Sequence, residues 1–197
     1  MTAPDSTEKS RVPWLLGVGA VLVWGVYMLV AIPRMDSGGL PEPILATSDA
    51  SSPADYEWKL EDLEGKPVDF AAFRGKTVFL NIWATWCPPC VAEMPSIDRL
   101  AKNPRVDDVV FACVSGDESL AALRAFVLKR NLTVPVYRML DRPPAAYETD
   151  GIPATFILTS DGKILLREVG AAEWDDSVVV QLLAGLAERA PRVAASD

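Results

Sequence analysis

The sequence predicts an α/β domain carried behind a single N-terminal membrane helix, and three observations carry that reading. An apolar strand, Lys76 to Ala84, runs directly into Cys87-Pro88-Pro89-Cys90 and then into a helical pattern. Strand and helix patterns go on alternating as far as residue 187. Upstream, no charged residue occurs from Val12 to Pro33.

A length of 197 residues, half of them apolar, allows one domain of ordinary size and an appendage. The formal charge of −8, with no polybasic run, argues against nucleic acid and anionic lipid headgroups as partners. No histidine occurs anywhere, which excludes Ser-His and Cys-His nucleophile pairs and His-containing zinc sites. Three cysteines are one too few for an all-thiolate tetrahedral zinc site and far too few for a secreted disulfide scaffold.

Taken in order, residues 1–12 are a short polar tail with Lys9 and Arg11 close to its end. Pro13 to Ile32 is about 20 residues, enough at the helical rise to cross a hydrocarbon core of about 30 Å, so 13–33 is expected to be a transmembrane anchor. A cleaved signal peptide would have a shorter apolar region and a small-x-small site, which Ile32-Pro33-Arg34-Met35 does not offer. The excess of Lys9 and Arg11 over Arg34 places the N-terminus in the cytoplasm and the domain outside. Residues 34–54, rich in Gly, Pro and Ser, read as a flexible linker.

The globular pattern spans 55–190. Tyr56 to Leu60 and Pro67 to Phe70 bracket Glu64-Gly65-Lys66 as a hairpin. After the cysteine pair, Val91, Met94, Ile97 and Leu100 recur at helical spacing. Asp108 to Val114 reads as a buried strand, Glu118 to Arg130 as a helix, and Val134 to Arg138 as a short strand. Ala154 to Leu158 and Ile164 to Val169 form a hairpin around Asp161-Gly162, Trp174 to Ala187 is a closing helix, and 191–197 is a frayed tail.

The cysteine pair carries the chemistry. A thiol at the first turn of a helix sits among unpaired N–H groups and the positive end of the macrodipole, which stabilises its thiolate and makes Cys87 the expected nucleophile. Cys90, one turn on, can reach back to close a small disulfide ring. Pro88 fits the first helical position, where a missing N–H costs nothing, and with Pro89 stiffens that ring. A merely structural disulfide, or two buried thiols, would not call for Trp-Cys-Pro-Pro-Cys at a strand-to-helix corner. Two rivals share some features. A Cu(I) carrier would use the two soft thiolates, although only Met94 is close by as a further ligand. A peroxiredoxin-type peroxidase would have proline seven residues before its cysteine, where this chain has Leu80.

Around the pair, Glu93 lies one turn beyond Cys90, close enough for a partly buried carboxylate to pass a proton; the competing reading is a solvated helix glutamate. Trp86 is expected to shield the disulfide and offer partners an apolar contact, and Trp83 to pack in the core. Pro95 lacks the N–H that would bond the Val91 carbonyl and should kink its helix. Cys113 alternates with apolar neighbours and reads as core packing rather than a regulatory third thiol.

These motifs resemble the membrane-anchored TlpA/ResA-like thiol-disulfide oxidoreductases of the thioredoxin superfamily. Glu93 and Pro95 complete a Cys-x-x-Cys-x-x-Glu-x-Pro pattern, Gly151-Ile152-Pro153-Ala154-Thr155-Phe156 is similar to the family's cis-proline segment, Asp161-Gly162-Lys163 to its late hairpin turn, and the apolar N-terminus to its anchor. The resemblance implies a central mixed sheet flanked by helices, with an N-terminal hairpin and a helix-strand insertion. It implies that Pro153 is cis against the cysteines and that the Ile152 backbone pairs with an extended substrate segment. Asn81 stands where plain thioredoxin has a proton-transferring aspartate, which leaves that task to Glu93. The implied substrate-binding set is Trp86, Pro88, Pro89, Ile152 and Pro153. The implied activity is reduction of extracytoplasmic protein disulfides, with apocytochrome c or copper-site thiols as substrates, a membrane electron donor, no cofactor beyond the Cys87–Cys90 couple, and no metal. The domain would face the periplasm from the inner membrane.

Overall fold

The computed structural model describes residues 39–43 and 52–190. The expected cytoplasmic tail, transmembrane helix and C-terminal tail lie outside the described residues, as does most of the expected linker. Among the described residues no helix is long and apolar enough to cross a membrane.

A six-residue strand lies at the heart of the domain. All of β4 (Val78–Trp83) is buried, and its alternating side chains serve two cores because successive residues of a strand point to opposite faces of the sheet. Phe79 and Trp83 face a cluster with Cys87, Cys90, Met94, Ile97, Leu100, Trp174 and Leu183. Val78, Leu80 and Ile82 face a second cluster built on Tyr56, Trp58, Phe70, Tyr147 and Phe156.

Around β4 the sheet has eight strands in the order β1-β8-β7-β4-β5-β6-β2-β3. The others are β1 (Ser52–Pro53), β2 (Lys59–Glu61), β3 (Pro67–Asp69), β5 (Val110–Ser115), β6 (Val136–Met139), β7 (Ala154–Leu158) and β8 (Lys163–Val169). β4, β5 and β6 run parallel, while β7 is antiparallel to β4 and β8 to β7. The expected hairpin exists as β2 and β3, joined to the sheet by antiparallel pairing of β2 with β6. One row of this register places Thr155, Asn81, Cys113 and Val136 side by side on neighbouring strands.

The three α-helices among the described residues, α1 (Pro88–Ala101), α2 (Leu120–Arg130) and α3 (Ser177–Glu188), all bury side chains in the first cluster. The second face is roofed instead by aromatic side chains from the hairpin and from two short 3-10 turns, Phe70–Phe73 and Ala145–Tyr147. Phe70 stands at the centre of that roof, within 6.0 Å of Tyr56, Trp58, Phe73 and Tyr147 by ring centroids.

Two sequence expectations shift. The closing helix begins at Ser177 rather than Trp174, because Asp176 caps it with a side chain that accepts from the Val178 N–H. Trp174 is thereby freed from the helix and fully buried against Phe79. The expected linker also reaches into the domain at two points. Ser52 and Pro53 pair with Ile164 and Lys163 of β8, a strand that otherwise has an open edge, and the Glu173 N–H donates to the Pro41 carbonyl at 2.9 Å.

Candidate active site

The chain leaves β4 at Trp83 and turns through Ala84, Thr85 and Trp86 before α1 begins. Asp117, just beyond β5, holds that turn by accepting from both the backbone N–H and the hydroxyl of Thr85. The Gly116 N–H donates to the Trp83 carbonyl at 2.9 Å, which fastens the same corner from the β5 side. Cys87 then caps α1, with Pro88 and Pro89 opening the helix. The Cys90 N–H donates to Cys87 Sγ at 3.3 Å. This puts the first sulfur where the unpaired donors of the helix start converge.

Cys87 and Cys90 form a disulfide. Cys90 is fully buried, while Cys87 keeps 5 % of its surface in solvent. Pro88 and Pro89 are exposed beside it. The Ile152-Pro153 peptide is cis, and the Ile152 carbonyl oxygen lies 3.7 Å from Cys87 Sγ. The sequence-derived set Trp86, Cys87, Pro88, Pro89, Cys90, Ile152 and Pro153 therefore gathers at one corner of the sheet.

Trp86 is 68 % exposed and lines a groove of about 580 Å³ together with Trp83, Met139, Tyr147, Gly151 and Ile152. It stands out into solvent as one wall of that groove, where the sequence predicts a shield over the sulfurs. Trp83 is fully buried and packs on Phe126. Cys113 is a free, buried cysteine, and its burial, with Glu93 and Asp98 nearby, holds its thiol well above the ordinary value.

Glu93 is fully buried. Its Oε1 accepts from Asn81 Nδ2 at 2.8 Å, and its Oε2 accepts from Trp174 Nε1 at 3.0 Å and from the Ala172 N–H at 3.2 Å. Burial pushes its carboxyl from the ordinary 4.5 up to about 7, against the pull of donors on Trp174, Asn81 and Ala172 that favour the charged form. A carboxyl poised there exchanges a proton readily at neutral pH. Asn81 also donates to Thr155 Oγ1 at 2.9 Å, so its neighbour in the strand register fixes the amide that faces Glu93.

The residues that the sequence did not point to are Trp174, Ala172, Thr155, Thr85 and Asp117. The apolar spacing alone assigns Trp174 to a helix. Asp117 follows a strand in Ser115-Gly116-Asp117, a local pattern of turn residues that does not announce a partner 32 positions earlier.

The sequence matches the redoxin family over residues 46–183. The chain belongs to the redoxin family. This redoxin is 36 % identical over 107 residues to thiol-disulfide oxidoreductase ResA of Bacillus thuringiensis subsp. konkukian (strain 97-27), a match covering 53 % of this chain and 61 % of that protein. To the ResA of Bacillus subtilis (strain 168) it is 35 % identical, over 54 % of this chain and 60 % of that one. The redoxin thus spans less than two thirds of the length of the curated relatives it matches. Among solved structures it resembles a thiol:disulfide interchange protein of the thioredoxin family from Chlorobium tepidum TLS, with a TM-score of 0.57 and 26 % identity over 70 % of this chain and 100 % of the other. The redoxin match begins ahead of β1, in keeping with a domain that takes up Ser52 and Pro53 as a strand.

Proposed function

We propose that this redoxin is a thiol-disulfide oxidoreductase acting on polypeptide substrates, and that it works as a reductant. The observation that carries the reading is the unequal pair at the start of α1: Cys87 touches solvent beside the Ile152 carbonyl, while Cys90 is sealed beneath it. A visiting disulfide meets Cys87 first. In the reduced protein the Cys87 thiolate attacks one substrate sulfur, and the other substrate sulfur leaves as a thiolate that takes a proton. Cys90 then gives its proton to the Glu93 carboxylate, and the resulting thiolate attacks Cys87 Sγ. The Cys87–Cys90 disulfide forms, the substrate departs with both sulfurs reduced, and two electrons have passed from protein to substrate.

The groove walled by Trp86 and Ile152, whose carbonyl lies 3.7 Å from Cys87 Sγ, supports an extended peptide lying there, with the exposed Pro88 and Pro89 following Cys87 in the chain. The reductant direction rests on the resemblance of the Cys87–Pro95 and Ile152-Pro153 motifs to the TlpA/ResA-like family. The apolar run 13–33 supports anchorage in the cytoplasmic membrane with the domain outside, where a membrane protein would have to supply electrons because the compartment itself is oxidising. Disulfides of apocytochrome c or of copper-site proteins are the substrates this placement favours.

The test is reduction of a peptide disulfide by the dithiol protein, together with the potential of the Cys87–Cys90 couple against glutathione. A couple well below the glutathione poise supports a reductant. A couple as oxidising as that of a disulfide-forming catalyst reverses the direction, and no exchange with any disulfide removes the reading.

A further inference from the structure

Trp174 is buried, its ring meets Phe79 edge-on at 5.2 Å, and packing alone would account for that much. Its indole N–H does something packing does not require: it donates to a carboxylate, at 3.0 Å from Glu93 Oε2. The same loop brings a second donor, the Ala172 N–H, to the same oxygen. The loop is also fastened to α1 on either side. The Trp174 N–H donates to Ser96 Oγ, the Ser96 hydroxyl donates to the Glu93 carbonyl, and Arg99 binds Glu173 and Asp175. Among the described residues Oε1, by contrast, accepts only from Asn81 Nδ2.

We infer that Trp174 is a positioning residue for Glu93, its indole N–H tying Oε2 to the Ala172–Asp175 loop so that Oε1, on the Asn81 side, is the oxygen that takes up and releases the proton. This rests on the reading of Glu93 as the proton acceptor of Cys90. Two fixed donors on Oε2 make a proton there redundant, because a protonated oxygen would have to surrender acceptor capacity that both N–H groups use. The other titratable or charged groups around Glu93 are few. Cys113 faces it from β5, the Cys87–Cys90 pair shares its helix, and Asp98 and Arg99 lie further along α1. Asp98 is committed to Lys102, Thr133 and Val134, and Arg99 to Glu173 and Asp175. β4 and β7 present only the uncharged Asn81 and Thr155.

The experiment titrates Glu93 itself in the oxidised full-length protein by carbon-13 NMR of the glutamate carboxyls, with Glu93→Gln to assign the signal. Two variants are compared with wild type: Trp174→Phe, and an isosteric replacement of the indole by benzothiophene, which keeps the ring and drops the N–H. Loss of a donor to the charged form should raise the Glu93 midpoint by about one pH unit, tenfold in proton affinity, in both variants. The pH profile of exchange should move with it. An unchanged midpoint in the benzothiophene variant overturns the inference, including the case where Trp174→Phe alone shifts it, since a cavity would then be the cause. A profile that moves while the Glu93 midpoint stays put overturns it as well. If wild type shows no exchange at any pH, the functional reading falls, and the Glu93 midpoint still decides the role of Trp174.

Discussion

Asp117 grips Thr85 twice, accepting from its N–H at 2.9 Å and from its hydroxyl at 2.6 Å, while the Ser115 hydroxyl donates to the same carboxylate. Thr85 lies two residues before Cys87, so a carboxylate at the end of β5 fixes the approach to the sulfurs. Asp117→Ala strips the acceptor from all three donors and is expected to cost about 1–3 kcal/mol in urea unfolding. Peptide disulfide reduction should slow as well, with Asp117→Asn falling between the two. Lost stability with an unaltered exchange rate would mean that the turn needs no clamp for chemistry.

The burial difference within the pair, with Cys87 at 5 % and Cys90 at 0 % exposure, predicts separate roles for the two sulfurs. Cys90→Ser should accumulate a mixed disulfide between Cys87 and the substrate, visible on a non-reducing gel, whereas Cys87→Ser should accumulate none. A trapped species in the second variant would assign the first attack to the fully buried sulfur.

Glu93 makes stability depend on pH in a definite direction. Its carboxyl titrates near 7 in the folded protein against 4.5 ordinarily. Between those values the folded state keeps a proton that the unfolded chain has released, so this group weakens the fold as pH rises through the window. The full effect is about 3 kcal/mol. Glu93→Gln should remove this slope, which urea midpoints at about pH 5 and about pH 8 would reveal. An identical slope in the variant would assign the dependence to another group.

Trp86 stands exposed on the groove wall, outside both core clusters. Trp86→Ala should leave thermal stability within about 0.5 kcal/mol yet raise KM for a peptide disulfide, with little change for a small aliphatic disulfide. Equal losses on both substrates would place its effect on the sulfurs rather than on the groove.

Cys113 should resist alkylation in the folded protein and react only on unfolding, since burial disfavours its thiolate. Native labelling of the reduced protein by mass spectrometry would show it, and modification of Cys113 without unfolding would contradict the packing.

What the sequence made legible was local. Strand β4, the start of α1 at Pro88 and the cysteine pair are written in one continuous stretch of sequence, and Glu93 follows from helical spacing together with the resemblance to the TlpA/ResA-like family. Trp174 was hidden because its partner lies 81 positions away and because Trp-Asp-Asp reads equally well as the first turn of a helix. Only Asp176 acting as the cap distinguishes the two cases. The grip of Asp117 on Thr85 depends on β4 and β5 lying side by side, a relation the residues around Asp117 do not encode. Ser52-Pro53 carries no periodic pattern in two residues, and it is a strand because β8 offers it an edge. The roof of the second face was equally unreadable, since Tyr56, Trp58 and Phe70 sit in the expected hairpin, whose pattern does not say which face it covers, and Tyr147 sits in a short turn with no periodic pattern.

Each margin of the sheet ends in a proline, Pro53 in β1 and Pro67 in β3. A residue without an N–H interrupts the row of donors that a newcomer strand would need, which discourages copies of the protein from stacking rim to rim. Both borders of the sheet are thereby poor templates for an added strand, and the Ile152 carbonyl, 3.7 Å from Cys87 Sγ, stands at neither of them.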